Sequence, residues 1–354
     1  MESQAFEFFK QLVETPSPSG YEEQIQAVVR RYAETFADRV TTDVHGNVTA
    51  AVNPQANLRV MLAGHCDQVG LVVHYIDENG FLFVDAAGGV DPLTLIGQRV
   101  FVWTANGPRA GLISRKSAVL MSPDELAVAP KLHELWIDIG ARNADEALAW
   151  VRIGDAVTTH LSLTELPAGL AFGPAMDDKA GLWAVLEATR RAKLTGGLQV
   201  AVFAVSTVQE EIGLRGAQTS AYGIDPHVAV AVDLAHATDH PTINRRKLGD
   251  FRVDAGPILY RGASMNPHVA RRLYDAAHAR QIPVQAGAIG PPSATDVKVL
   301  QVTREGIATG LVGLACRYMH SPVELISLRD MDRAADLLAE FLLQLPPDAN
   351  FIPS

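Results

Sequence analysis

The sequence predicts an α/β fold with a mixed, largely parallel central sheet flanked by helices and a small β-barrel-like domain inserted into it. Three observations carry this. After Phe172, apolar runs that suit buried strands alternate with helical repeats. Between Gln68 and Thr159 the chain holds mostly short β-like runs punctuated by Gly, Pro, Asn and Asp. Helical patterns also bracket the whole chain.

The first helix is predicted from Phe6, Phe9, Leu12 and Val13, which fall at helical spacing. The stretch PSPSG ends it in a turn, with Pro16, Pro18 and Gly20. Ser19 is the expected N-cap of a second helix over 21–36, with Glu22 completing a capping box. RVTTDV, NVTAAV and LRVMLAG follow as strands, the last a continuous apolar run suited to a buried position. LVVHYI, FLFVDA, QRVFVW, AGLISR, LWIDIG and DAVTTHL then supply the inserted β region, where only ADEALAWV reads as helix. Beyond it, DDKAGLWAVLEATRRAK is helix, LQVAVFAVS and HVAVAVDL are strands, and NPHVARRLYDAAHARQ is helix. ATGLVGLA is strand, and LRDMDRAADLLAEFLLQL closes the chain as helix.

Composition narrows the function. The 354 residues suffice for two domains, and 48% hydrophobic with 20% charged residues is the profile of a globular protein with a sizeable core. A net charge of -10 argues against nucleic acid or an anionic membrane as partner. Arg245, Arg246 and Lys247 form the one conspicuous basic group, and such a group is more often solvated loop than binding site. Cys66 and Cys316 stand alone, which excludes a disulfide framework and a cysteine-rich zinc site. No basic-then-apolar leader and no apolar run of membrane length is visible, so a cytoplasmic location is expected.

Five stretches concentrate His, Asp and Glu: GHCDQVG, AMDDKAG, QEEIGLRG, AVDLAHATD and YMHSPVE. Predicted strands deliver His65, Glu210 with Glu211, and Asp233 to their carboxyl ends, where α/β sheets build their sites. Crowded carboxylates raise one another's pKa, and a pair of divalent cations would neutralise them. Two His and three acidic ligands suit Zn²⁺ or Co²⁺, with Mn²⁺ as a further candidate. One carboxylate must stay off the ions as proton shuttle, and adjacent Glu210 and Glu211 offer one ligand and one base. Each motif alone has a blander reading. Asp177 and Asp178 would more often cap a helix, and a Glu-Glu pair is usually solvated. His45, His74, His133 and His160 keep that bland reading.

Taken together and in order, these stretches resemble the tetrahedral aminopeptidase and glutamyl aminopeptidase family of co-catalytic dimetal exopeptidases. LVETPSPSGYE, TDVHGN, GHCDQVG, LWIDIGAR, VRIGDAV, AMDDKAG, TVQEEIGLRGA, AVDLAHATDHP, ATDVKVLQ and RYMHSPVELISL carry the resemblance over nearly the whole chain. It implies that His65, Asp177 and Asp233 hold one ion and Asp177, Glu211 and His320 the other, with Asp177 bridging. It implies Glu210 as general base to a bridging hydroxide, Asp67 as the group that orients His65, and a cis Asp177–Asp178 peptide. It further implies a discontinuous catalytic domain over 1–67 and 160–354, and a dimerisation domain over 68–159. Dimers would build a hollow dodecamer that admits short peptides with a free N-terminus. Two positions depart from the family: Gln68 replaces an acid and Lys179 replaces an arginine. Cys66, between His65 and Asp67, is expected to face away from them.

Two other readings compete. Paired carboxylates also serve glycoside hydrolysis, although no aromatic residues cluster beside the acidic motifs in sequence. A small-molecule amidase or deacylase could use the same ions. A purely structural metal site would leave no spare base, and Glu210 argues against it. The segments 245–249 and 286–296 are the expected walls of a specificity pocket.

Overall fold

The computed structural model describes residues 1–353. Its centre is an eight-stranded sheet in the order Arg39–Thr42, Val48–Val52, Ala201–Thr207, Arg59–His65, Val228–His236, Ala308–Cys316, Ile258–Gly262, Gln285–Ile289. The four middle strands are mutually parallel. Antiparallel pairing joins the sheet's flanks to them on both sides. The sheet is therefore mixed with a parallel heart, as the sequence predicts.

Alternation along each strand explains the layers. Val60 and Leu62 face one core with Val202, Val230 and Val312. Met61 and Ala63 face the other with Phe203, Ala231 and Leu311. Helices Ser3–Glu14, Glu23–Ala33, Met176–Thr195, Pro267–Ala279 and Leu328–Gln344 cover the first face through Phe9, Ile25, Trp183, Leu273 and Leu338. Arg215–Ile224 and Val297–Leu300 cover the second through Ala217, Ala221 and Leu300. Among the described residues, no helix is long and apolar enough to cross a membrane.

Between residues 70 and 159 six strands close a barrel in the order Gly70–Ile76, Leu82–Ala87, Trp136–Asp138, Gly107–Ser114, Arg99–Thr104, Ala156–Thr159. It has its own core, including Leu71, Val100, Ile113 and Ile137. A third, three-stranded sheet joins Thr164–Leu166, Leu170–Gly173 and Glu324–Ser327. Its register sets Glu324 opposite Gly173, a few residues before Asp177.

Two local expectations fail. The second helix spans Glu23–Ala33, shorter than predicted, and Ser19 does not cap it. The Ser19 hydroxyl donates instead to Asp67 Oδ2 at 2.6 Å. Glu22 closes no capping box; its Oε1 accepts from Gly20 N at 2.7 Å and Gln209 N at 3.2 Å. Tertiary partners outcompete the local cap, and the PSPSG turn is thereby tied to the functional site.

Candidate active site

Four parallel strands and their following loops bring the predicted residues to one crevice at the strands' carboxyl ends, where open α/β sheets bind ligands. His65 ends its strand and Asp233 lies near the end of the neighbouring one. Glu210 and Glu211 follow Ala201–Thr207, and Asp177 opens the long helix Met176–Thr195. His320 follows Ala308–Cys316. A larger cavity, about 850 Å³, sits at the opposite ends of these strands, around Arg59, His227 and Arg304, and holds none of this cluster.

Asp177 is the centre. Its Oδ1 is 3.3 Å from His65 Nε2, and its Oδ2 is 3.4 Å from His320 Nε2. His320 Nε2 is also 3.4 Å from Glu211 Oε1. Glu210 Oε2 and Asp233 Oδ1 lie 3.9 and 4.0 Å from His65 Nε2. The peptide between Asp177 and Asp178 is cis, as the resemblance implies. Left-handed backbone at Ala175, Gln209 and His320 clusters here, in a region of φ that non-glycine residues seldom adopt.

The two adjacent aspartates have separate tasks. Asp178 is fully buried and accepts from Gly181 N at 3.0 Å and His65 N at 3.2 Å, so it caps the helix and fixes the His65 backbone. Asp67 is also fully buried. Its carboxylate accepts from Glu210 N at 2.9 Å, Glu211 N at 3.2 Å and Ser19 Oγ. His65 Nδ1 stands 3.1 Å from the Asp67 carbonyl oxygen and 3.5 Å from its Oδ1. Asp67 therefore touches His65 mainly through its backbone, while its carboxylate holds the Glu210–Glu211 turn. Glu324, whose motif is visible in the sequence but whose task is not, accepts from Asp177 N at 3.0 Å and His320 N at 2.6 Å.

Crowding dominates the electrostatics. Burial pushes Glu210 up to about 10, with Asp233 and Asp296 adding to it. Burial likewise raises Glu211 to about 7 and Glu324 to about 8, each aided by Asp177. Asp178 and Asp233 are raised for the same reasons. Burial acts to lower the His65 pKa, but Glu210, Asp177 and Asp67 outweigh it and raise it. Burial opposes ionisation of Asp177, yet His320 and His65 hold its carboxyl below the usual range. Cys66 is buried in the apolar core, and burial keeps it a thiol rather than a metal-binding thiolate.

The residues fit divalent ions. Two donors bound about 2.0–2.1 Å from one tetrahedral ion stand roughly 3.3–3.4 Å apart, which is the spacing found around Asp177. Oδ1 of Asp177 is buried without a hydrogen-bond partner, a vacancy that an ion would satisfy. His65, Asp178 and Asp233 offer donor atoms within 4.8 Å of one another, as do His65, Asp177 and Glu211.

Aromatic residues reach the crevice from segments outside the acidic motifs. Phe251 and Tyr260 line it, their rings 6.0 Å apart, although neither neighbours an acidic motif along the chain.

An open α/β sheet with this histidine–carboxylate cluster defines the class of metallopeptidases. The chain matches the M42 glutamyl aminopeptidase family over residues 46–337 and belongs to it; it is an aminopeptidase, a hydrolase acting on peptides. It is 34% identical over 357 residues to the lysyl aminopeptidase of Pyrococcus furiosus, covering 98% of this chain and 99% of that one. The TET aminopeptidase of a marine-sediment Thaumarchaeota archaeon shares the fold with a TM-score of 0.91 at 33% identity, over 97% of each chain. The TET1 peptidase of Pyrococcus horikoshii, described as assembling into a tetrahedron or a large octahedral shell, gives a TM-score of 0.85 at 28% identity, over 96% of this chain and 100% of that one.

Proposed function

We propose that this aminopeptidase removes N-terminal residues from short peptides with two divalent ions, and that Glu210 moves the proton. The observation that carries the reading is Asp177, with one oxygen 3.3 Å from His65 Nε2 and the other 3.4 Å from His320 Nε2. That is the posture of a bridging carboxylate. His65, Asp177 and Asp233 would hold one ion; Asp177, Glu211 and His320 would hold the other. Zn²⁺ or Co²⁺ suits this donor set best, with Mn²⁺ next. Bound there, divalent ions polarise the scissile carbonyl and make a water ionisable near neutral pH.

The remaining steps belong to the chain. Glu210 is left out of both ligand sets, and the positive charge of two bound ions would keep its carboxyl ionised and free to take a proton. Its carboxylate takes a proton from the attacking water as the water oxygen bonds to the carbonyl carbon. When the C–N bond breaks, that proton passes to the leaving nitrogen. The acidic end of the crevice attracts the substrate's free α-ammonium group. Asp67 holds Glu210 in place through its backbone N–H.

We assign residues 1–67 and 160–354 to the catalytic domain and 68–159 to an inserted dimerisation domain. The barrel's separate core supports this division. The tetrahedron described for the P. horikoshii relative supports a dodecamer built from dimers.

The test is to strip the metal and restore Zn²⁺, Co²⁺ or Mn²⁺ in turn. Aminoacyl chromogenic substrates, an N-blocked peptide and soluble cellulose are then assayed, with light scattering for mass. Metal-dependent cleavage of free-amine substrates alone is expected, in particles near twelve chains. Failure to cleave any free-amine substrate, in protein carrying two ions, would sink the mechanism.

A further inference from the structure

The active-site cavity, about 520 Å³, has two chemically different ends. One is the histidine–carboxylate cluster. The other is walled by Phe251, Tyr260, Ile289 and Leu311, which pack together, and Leu234 and Leu248 also line the cavity. These residues come from separate strands and loops, and a glycine makes their wall fit. A Cβ on Gly313 would lie 2.8 Å from Tyr260 Cε2, so its absence gives the Tyr260 ring its place.

Charge is missing from this end. Among the described residues, no lysine or arginine lines the cavity, and every lining acid belongs to the cluster. The basic group Arg245–Lys247 does not reach it. Arg245 donates to Thr238 O at 3.1 Å and stands 3.4 Å from Asp250, while Leu248 of the same short helix lines the cavity. The Ser293 and Thr295 hydroxyls, also in the lining, lie 2.8 Å apart and bond each other. A charged side chain placed here would lose water and meet only the polar groups of His236, Ser293 and Thr295, with no lysine or arginine to pair with. An apolar one would exchange water for hydrocarbon contacts.

We infer that this pocket selects a large apolar N-terminal residue, such as Leu, Met or Phe, over an acidic or lysyl one. The inference rests on the aminopeptidase reading of the site, and differs from what the names of the family and of the P. furiosus relative would suggest.

The metal-loaded enzyme is assayed on Leu-, Met-, Phe-, Glu- and Lys-p-nitroanilides. The apolar substrates are expected to lead in kcat/KM by on the order of 100-fold. Ile289 lies on an edge strand and is only partly buried, so Ile289→Arg should fold. It is expected to raise the Glu-to-Leu ratio by about 10-fold or more. A readout without turnover is the thermal shift. 3-Methylbutylamine should stabilise the protein, whereas 1,5-diaminopentane and 4-aminobutanoate should not. Equal or faster cleavage of the Glu or Lys substrate overturns the inference and leaves the aminopeptidase reading intact. No cleavage of any substrate by protein carrying two ions overturns both.

Discussion

Lys179 Nζ donates to Gln68 Oε1 at 2.9 Å, so the two residues that the resemblance marks as departures are in direct contact. The same ammonium donates to Thr15 O at 2.8 Å. The contact links the loop after His65 to the helix that begins beside Asp177. The tie joins an ammonium to a neutral amide, so Gln68 supplies no counter-charge. Lys179 is fully buried, and burial pushes its pKa down to about 7.

That depression sets a pH signature. The unfolded side chain titrates near 10.5 and the folded one near 7, so between these values unfolding takes up a proton. This part of the stability therefore rises with pH across that window and is lost as pH falls through about 7. Lys179→Met removes the titration and keeps the bulk. The stability of wild type minus that of K179M, from urea melts at several pH values, should climb from pH 7 to pH 10. A flat difference would mean that Lys179 stays charged in the fold.

Glu210→Gln keeps the shape of the side chain and removes its basicity. The kcat should fall by about 10²–10⁴-fold while both ions remain bound. Rates beside metal content by mass spectrometry decide this. Near-normal turnover in the variant would move the proton-transfer role to another group.

Glu324 has a different role, because it clamps two backbone N–H groups rather than substrate. Glutamine offers one oxygen where glutamate offers two, so either Asp177 N or His320 N would face an NH₂ group. Glu324→Gln should loosen the Asp177–His320 spacing and weaken ion binding by about 10–100-fold. Competition with a chelator measures that. Unchanged affinity would leave Glu324 a merely structural group.

The residues that meet at the site were legible as a set because apolar strands point to them. LRVMLAG delivers His65, LQVAVFAVS leads to Glu210, and HVAVAV delivers Asp233. Asp178 shows that the bland reading and the functional one can both hold, since its carboxylate caps the helix beside Asp177. What was not legible depends on pairing at a distance. Ser19 looks like a cap and is drawn off by Asp67. The task of Glu324 arises only when Glu324–Ser327 pairs with Leu170–Gly173. Phe251 and Tyr260 reach the pocket from segments outside the five acidic motifs, and Tyr260 lies on a short strand whose sequence, ILYRG, carries little alternation.

Gly64 joins the fold to the chemistry. It precedes His65, and a Cβ there would lie 2.7 Å from both Leu182 Cα and Leu182 N. Those are backbone atoms of the helix Met176–Thr195, which carries Asp177 in its first turn, so the clash cannot be relieved by rotating a side chain. Gly64→Ala must push the helix away from the strand, and with it Asp177 away from His65. Overpacking of this kind costs about 1–3 kcal/mol. The melting temperature should drop by several degrees, and metal affinity should fall with it, because the 3.3 Å contact between His65 Nε2 and Asp177 Oδ1 depends on this approach. Gly46→Ala serves as the control. Gly46 has left-handed backbone but no atom nearer than 3.8 Å to the added methyl, so it should lose stability without losing ion affinity. If both variants bind zinc like wild type, the strand–helix approach is not what sets the distance between His65 and Asp177.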